Sequence, residues 1–300
     1  MEIHGNGLHI ARLSKGAQGL GELLGTPETR WIVGFLAAYV VALFAYRLRA
    51  LTRSGAMAAV IVGGLIVATA GWWPGAVLVT FFAASSALSM YSSKRSDAGE
   101  QVRGKRRDAV QVLANGAIPT LCAVASLAAN DSGPWLVASA SAIAGAASDT
   151  WATEIGRFSQ SPPRIITTWK IVPPGTSGAI STIGTLGSLA GSLLIALVAA
   201  SGALLDWSVP EASAWSLIGI VTAAGLAGSI IDSVLGATVQ ADYRCPSYQQ
   251  ATERSIHRCG TPATLTRGWR WMNNDTVNLV AILSAAWIGF ALYQLWLPPG

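Results

Sequence analysis

Long apolar runs, each about as long as a lipid bilayer is thick, decide what this chain can fold into. A helix needs about 20 mostly apolar residues to cross the hydrocarbon core. Such runs cover residues 31–49, 55–72, 74–91, 109–129, 134–156, 178–204, 214–238 and 276–296. Charged residues make up only 12% of the 300 and apolar ones 52%. A soluble domain carries about 25% charged residues, so this chain has too few to clothe a water-facing surface. The sequence predicts an all-α, polytopic membrane helical bundle of about eight transmembrane helices. Residues 31–300 are expected to form a single transmembrane domain. Residues 1–30 lack the compact apolar core of a secretion signal. Leu8, Ile10, Leu13, Leu20, Leu23 and Leu24 predict a tail lying at the membrane surface.

The loops sort by charge. Arg47, Arg49 and Arg53 follow the first span, and Lys94, Arg95, Arg103, Lys105, Arg106 and Arg107 follow the third. Arg157, Arg164 and Lys170 follow the fifth, and Arg244, Arg254, Arg258, Arg267 and Arg270 follow the seventh. The alternate loops at 72–74, 130–133 and 205–213 hold no Lys or Arg. The positive-inside rule then predicts a multi-pass protein of the cell membrane with its four basic loops in the cytoplasm. Arg12, Lys15 and Arg30 in the N-terminal tail run against the pattern. Short basic loops between spans call for membrane lipids as neighbours, and no nucleic-acid partner is expected.

Carboxylates inside spans are costly and mark function. Asp149 and Glu154 sit near the inner end of span five, Asp232 in the inner half of span seven, and Asp275 at the start of span eight. Asn115 lies one to two turns inside span four, and Asn274 and Asn278 flank Asp275. With the topology above, all approach one membrane face. Asp149 and Glu154, five residues apart, are turned about 140° from each other on a helix, so Asp149 and Asp232 are the expected metal partners. Arg164 and Lys170 precede the turn Pro173-Pro174-Gly175-Thr176-Ser177-Gly178, placed by the sequence at the start of span six. Helix N-termini expose N–H groups that hold phosphate, so this turn reads as a phosphate cradle. Residues 99–106, GEQVRGKR, come near a P-loop pattern, but Arg ends the run and no strand precedes it. Cys245, His257 and Cys259 share one loop at a spacing that fits no standard zinc signature. Carboxylates for Mg²⁺, cations and N–H groups for phosphate are what phosphoryl transfer requires, and the membrane setting points to a lipid acceptor.

The runs RDAVQVLANG at 107–116, SDTWATEIG at 148–156, ITTWKIVPPGTSGAISTIGT at 166–185, GSIIDSVLGATVQ at 228–240 and NNDTVN at 273–278 carry a further signal. In these motifs, their order and spacing, the chain resembles the membrane family that includes transmembrane protein 19 and the plant plastid phytyl-phosphate kinase. The resemblance implies conversion of an isoprenyl monophosphate, phytyl or polyprenyl, to its diphosphate, with CTP or another nucleoside triphosphate as donor. The expected catalytic set is Asp149, Glu154, Asp232 and Lys170, with Asp149, Asp232 and Asp275 around Mg²⁺. Asn115, Arg106, Arg107, Arg164, Gly175, Thr176, Ser177, Gly178, Asn274 and Asn278 are the expected substrate- and nucleotide-binding residues. The lipid tail is expected along the small-residue grooves of spans six and seven. The rival reading is a transporter of a small anionic or lipid phosphate substrate. It calls for charges near mid-bilayer and for broken helices.

Overall fold

The computed structural model describes residues 26–95, 106–206, 211–248, 251–253, 255–257 and 259–297. The expected surface tail and most of the loop at 94–107 lie outside them. Eight long helices are described: α1 (Pro27–Arg47), α2 (Arg53–Ala70), α3 (Trp72–Arg95), α4 (Ala109–Ala128), α5 (Gly133–Gly156), α6 (Thr182–Asp206), α7 (Glu211–Thr238) and α8 (Asn274–Trp296). Polar side chains start several of them by accepting an orphan N–H of the first turn. Thr52 accepts from Gly55 N at 3.1 Å, Asp108 from Gln111 N at 3.0 Å, Ser181 from Gly184 N at 3.1 Å and Asn273 from Thr276 N at 3.0 Å.

Seven of these helices are long and apolar enough to cross a membrane. The remaining helix, α5, is diluted by Ser139, Ser141, Ser148, Asp149, Thr150 and Glu154. At 24 residues and 1.5 Å per residue it still exceeds the roughly 30 Å hydrocarbon core. It does not need an apolar surface, because α3, α4, α6, α7 and α8 all pack against it. Its residues Val137–Ser148 are buried save for Ala140.

Small residues make that packing close. A Cβ added at Gly228 of α7 would lie 2.9 Å from Ala285 Cβ of α8 and 3.5 Å from Gly145 Cα of α5. One added at Gly187 or Gly191 of α6 would lie 2.8 Å from Trp151 O or 2.9 Å from Ala147 O, both on α5. The grooves of spans six and seven, expected to take a lipid tail, are therefore filled by neighbouring helices.

Two short sheets lie outside the spans. β1 (Arg164–Ile165) pairs antiparallel with β2 (Ala179–Ile180). β3 (Asp242–Arg244) is flanked by β4 (Ala251–Thr252) and β5 (Thr264–Arg267), both antiparallel to it.

Candidate active site

Helix geometry sets the carboxylates. Gly145 and Gly228 face each other where α5 and α7 meet, with Ala285 of α8 against both. Asp149 and Asp232 each follow those glycines by four residues, so each lies one turn on along the same helix face. Helices α5 and α7 both run on from this contact toward a basic loop. Asp149 and Asp232, both half-buried, are thus brought to one level on facing helices. Helix α8 runs the opposite way. Its half-buried Asn274, Asp275 and Asn278 precede Ala281, whose carbonyl lies at the same contact, so its first turns enter at the same end.

Glu154 takes a different place. Its Oε1 accepts from Ser89 Oγ at 2.9 Å and its Oε2 from Ser92 Oγ, both on α3. Arg157 Nη1 closes an ion pair with Oε2 at 3.0 Å. Both oxygens of this buried carboxylate are engaged in a clamp between α5 and α3. Glu154, one of the expected catalytic residues, is thereby tied to α3 and Arg157.

The turn at 173–178 is also corrected. Helix α6 begins at Thr182, four residues past Gly178, because the chain first forms β2. Gly175 and Gly178 adopt positive φ, 84° and 76°, where glycine is unstrained. Thr176 Oγ1 donates to Pro173 O at 2.7 Å, and Ser177 Oγ to Asp242 Oδ1 at 2.9 Å. Arg267 grips Asp242 Oδ2 with Nη2 and Nε at 2.6 and 3.1 Å and donates to the carbonyls of Gly236 and Ala237. A guanidinium on the last carbonyls of α7 satisfies them and opposes the helix dipole. Ser177 and Gly178 thus fasten the turn to β3 and α7, Thr176 bonds within the turn, and among the described residues no helix N-terminus lies at the turn. Arg164 Nη1 donates to Trp169 O at 2.9 Å, closing the loop that exposes Lys170.

On the other side of the bundle, a cavity of about 340 Å³ opens between α1, α2, α3 and α4. Its wall is almost wholly apolar, with Ala38, Ala42, Val62, Leu78 and Phe81 among its residues. Polar groups enter it from Arg107, Gln111 and Asn115. Arg107 is fixed by its backbone: its N–H donates to Ala50 O at 2.8 Å and its carbonyl accepts from Thr52 N at 3.0 Å. Its guanidinium lies 5.5 and 5.6 Å from the ring centroids of Phe81 and Phe82. Burial lowers the Arg107 pKa, and the charge of Glu154 opposes the shift. An arginine stays protonated through such a shift. Asn115 Nδ2 donates back to Gln111 O at 2.9 Å. Arg106 is exposed, over the Tyr46 ring at 5.8 Å.

Sequence reasoning named Arg107 and Asn115 but missed Gln111, one turn before Asn115 in the same polar run, and missed Ser89 and Ser92. It grouped Cys245, His257 and Cys259 but set them aside on their spacing; the structure gathers them in the loop between α7 and α8. Hydrogen bonding with Thr261 and then His257 draws the exposed Cys259 thiol down to about 6.

This architecture defines a polytopic α-helical membrane protein with polar groups gathered at the basic-loop ends of its spans. The chain belongs to the integral membrane protein DUF92 family, whose model matches residues 36–286. It is 31% identical over 281 residues to Protein PGR of Arabidopsis thaliana, covering 88% of this chain and 96% of the relative. An uncharacterized membrane protein of Methanocaldococcus jannaschii is 31% identical over 271 residues, 89% of this chain and 97% of its own. Chloroplastic Protein VTE6 of Arabidopsis thaliana is 26% identical over 251 residues, 81% of this chain and 66% of its own. No solved structure matches the chain.

Proposed function

We propose that this protein is a membrane-embedded kinase that converts an isoprenyl monophosphate, phytyl or polyprenyl, to its diphosphate with a nucleoside triphosphate. The observation that carries the reading is the apolar cavity with a half-buried arginine, fixed by its backbone, at its mouth. Its volume falls within the roughly 300–1,000 Å³ of small-molecule sites. A lipid tail is as apolar in the bilayer as in the cavity, so its transfer contributes little. Affinity and orientation must come from the head group, and a planar guanidinium matches a phosphate through paired N–H donors. The kinship with VTE6, a phytyl-phosphate kinase, supports the same chemistry.

Arg107, aided by Asn115, would hold the acceptor phosphate on the cytoplasmic side. Asp149 and Asp232, with Asp275 nearby, offer the hard oxygen donors that suit Mg²⁺. When bound there, Mg²⁺ would neutralise charge on the transferred phosphoryl group. Lys170, Arg164 and Arg106, on neighbouring loops, would meet the donor nucleotide, with Asn274 and Asn278 orienting ligands from α8. The described helices α5 and α7 run unbroken through Asp149 and Asp232, which supports an enzyme over a transporter with discontinuous helices.

The test is a phosphoryl-transfer assay on purified protein in detergent. It offers Mg²⁺, each of four labelled nucleoside triphosphates, and phytyl or geranylgeranyl monophosphate. Diphosphate formed by wild type and lost in Asp149→Asn is the expected result. No product with any pair from folded protein would refute the reading.

A further inference from the structure

Outside the proposed site, the loop between α7 and α8 gathers three soft metal ligands. Cys245 directly follows β3 and is fully buried. His257 and Cys259 stand on a tight turn closed by two bonds, Gly260 N to His257 O at 2.9 Å and His257 N to Thr261 O at 3.0 Å. Gly260, with φ of 82°, lets the chain reverse there. One ligand atom from each of the three side chains lies within 4.8 Å of the other two.

We propose that Cys245, His257 and Cys259 bind one zinc-class divalent ion. The two Sγ atoms are 3.7 Å apart. Tetrahedral zinc with Zn–S bonds of about 2.3 Å sets two thiolates about 3.8 Å apart, so the backbone already holds the sulfurs at the bound separation. His257 Nδ1 lies 3.0 Å from Cys259 Sγ. A shared ion sets that pair at about 3.5 Å, a change within reach of an imidazole turning on its side-chain bonds. Two thiolates and an imidazole select zinc over magnesium or calcium, which favour oxygen. The cluster is thereby chemically distinct from the carboxylates at Asp149 and Asp232. Cys259 is exposed, so water completes the coordination and the ion is exchangeable.

The placement explains what the ion would do. Cys245 continues β3, and Cys259 lies five residues before β5. These strands carry Asp242 and Arg267, which hold the end of α7 and the Ser177 turn. Beyond β5, Met272 O accepts from Ala241 N at 2.9 Å and leads into Asn274 and Asp275. An ion across Cys245 and Cys259 would close this loop like a staple and fix the strands on which the inner ends of α7 and α8 rest.

The experiment measures metal in the full chain, purified in detergent under reducing conditions. The expected result is about one zinc per chain, lost in Cys259→Ser and His257→Asn and retained in Cys122→Ser. Cobalt added to the zinc-stripped wild type should give the thiolate charge-transfer band and the visible bands of a tetrahedral site. That readout needs no variant, so misfolding of Cys245→Ser would not obscure it. Chelation should speed tryptic cleavage at Arg244 and Arg267, and zinc should reverse it. Folded, reduced protein that takes up neither zinc nor cobalt would overturn the proposal. So would zinc retained in both Cys259→Ser and His257→Asn.

Discussion

Two regions of the bundle use small residues to opposite ends, although glycines 34, 64 and 116 also meet side chains closely within α1–α4. Around α5, glycines at 145, 187, 191 and 228 let α6, α7 and α8 approach until added methyls would clash. Between α1 and α4, Ala37, Ala38, Ala42, Ala59 and Ala76 leave a cavity of about 340 Å³. The same shortage of side-chain volume gives rigidity where backbones meet and space where they do not. In the proposed function, the tight half holds the carboxylates in register and the loose half admits the tail.

The largest effect is expected in the tight half. Asp149→Asn and Asp232→Asn should each lower kcat by about 10²–10³-fold, as loss of transition-state charge stabilisation does, with unchanged thermal melting in detergent. Full activity in both would remove the tight half from the chemistry. Next, Arg107→Gln at the mouth of the loose half should raise KM for the lipid phosphate by about 10–150-fold, the equivalent of the roughly 1.5–3 kcal/mol of charged hydrogen bonds. A fall in kcat alone would place Arg107 elsewhere in the cycle.

Two substitutions then compare the halves by stability. Gly228→Val forces side-chain atoms against Ala285 and should destabilise by about 1–3 kcal/mol, read as a lowered Tm. Ala76→Leu fills free volume and should be neutral or stabilising by up to about 2 kcal/mol, while weakening binding of long-tailed substrates more than short ones. If both variants melted alike, the contrast between the halves would fail.

The helices were legible in the sequence because each span needs its own apolar run. The bounds shifted by a few residues where caps intervene, as at Thr52 and Ser181. Even α5, the least apolar, showed through its length and its carboxylates. The facing of Asp149 and Asp232 followed from helical period plus the glycine contact between α5 and α7. The fate of Glu154 was not legible, since Ser89 and Ser92 lie more than sixty residues away. The turn at 173–178 misled because its partners Asp242 and Arg267 come from a distant loop. The cavity was hidden for the same reason: alanines read alike whether they line a void or fill a contact.

In the proposed function the lipid tail enters between α1 and α4. The most direct test is photo-crosslinking with an isoprenyl monophosphate bearing a diazirine in its tail, mapped by mass spectrometry. Adducts are expected on peptides of α1, α2, α3 and α4, competed by unlabelled isoprenyl monophosphate and reduced in Ala76→Leu. Competed adducts confined to α6 and α7 would contradict this and return the tail to the grooves that the structure fills with helices.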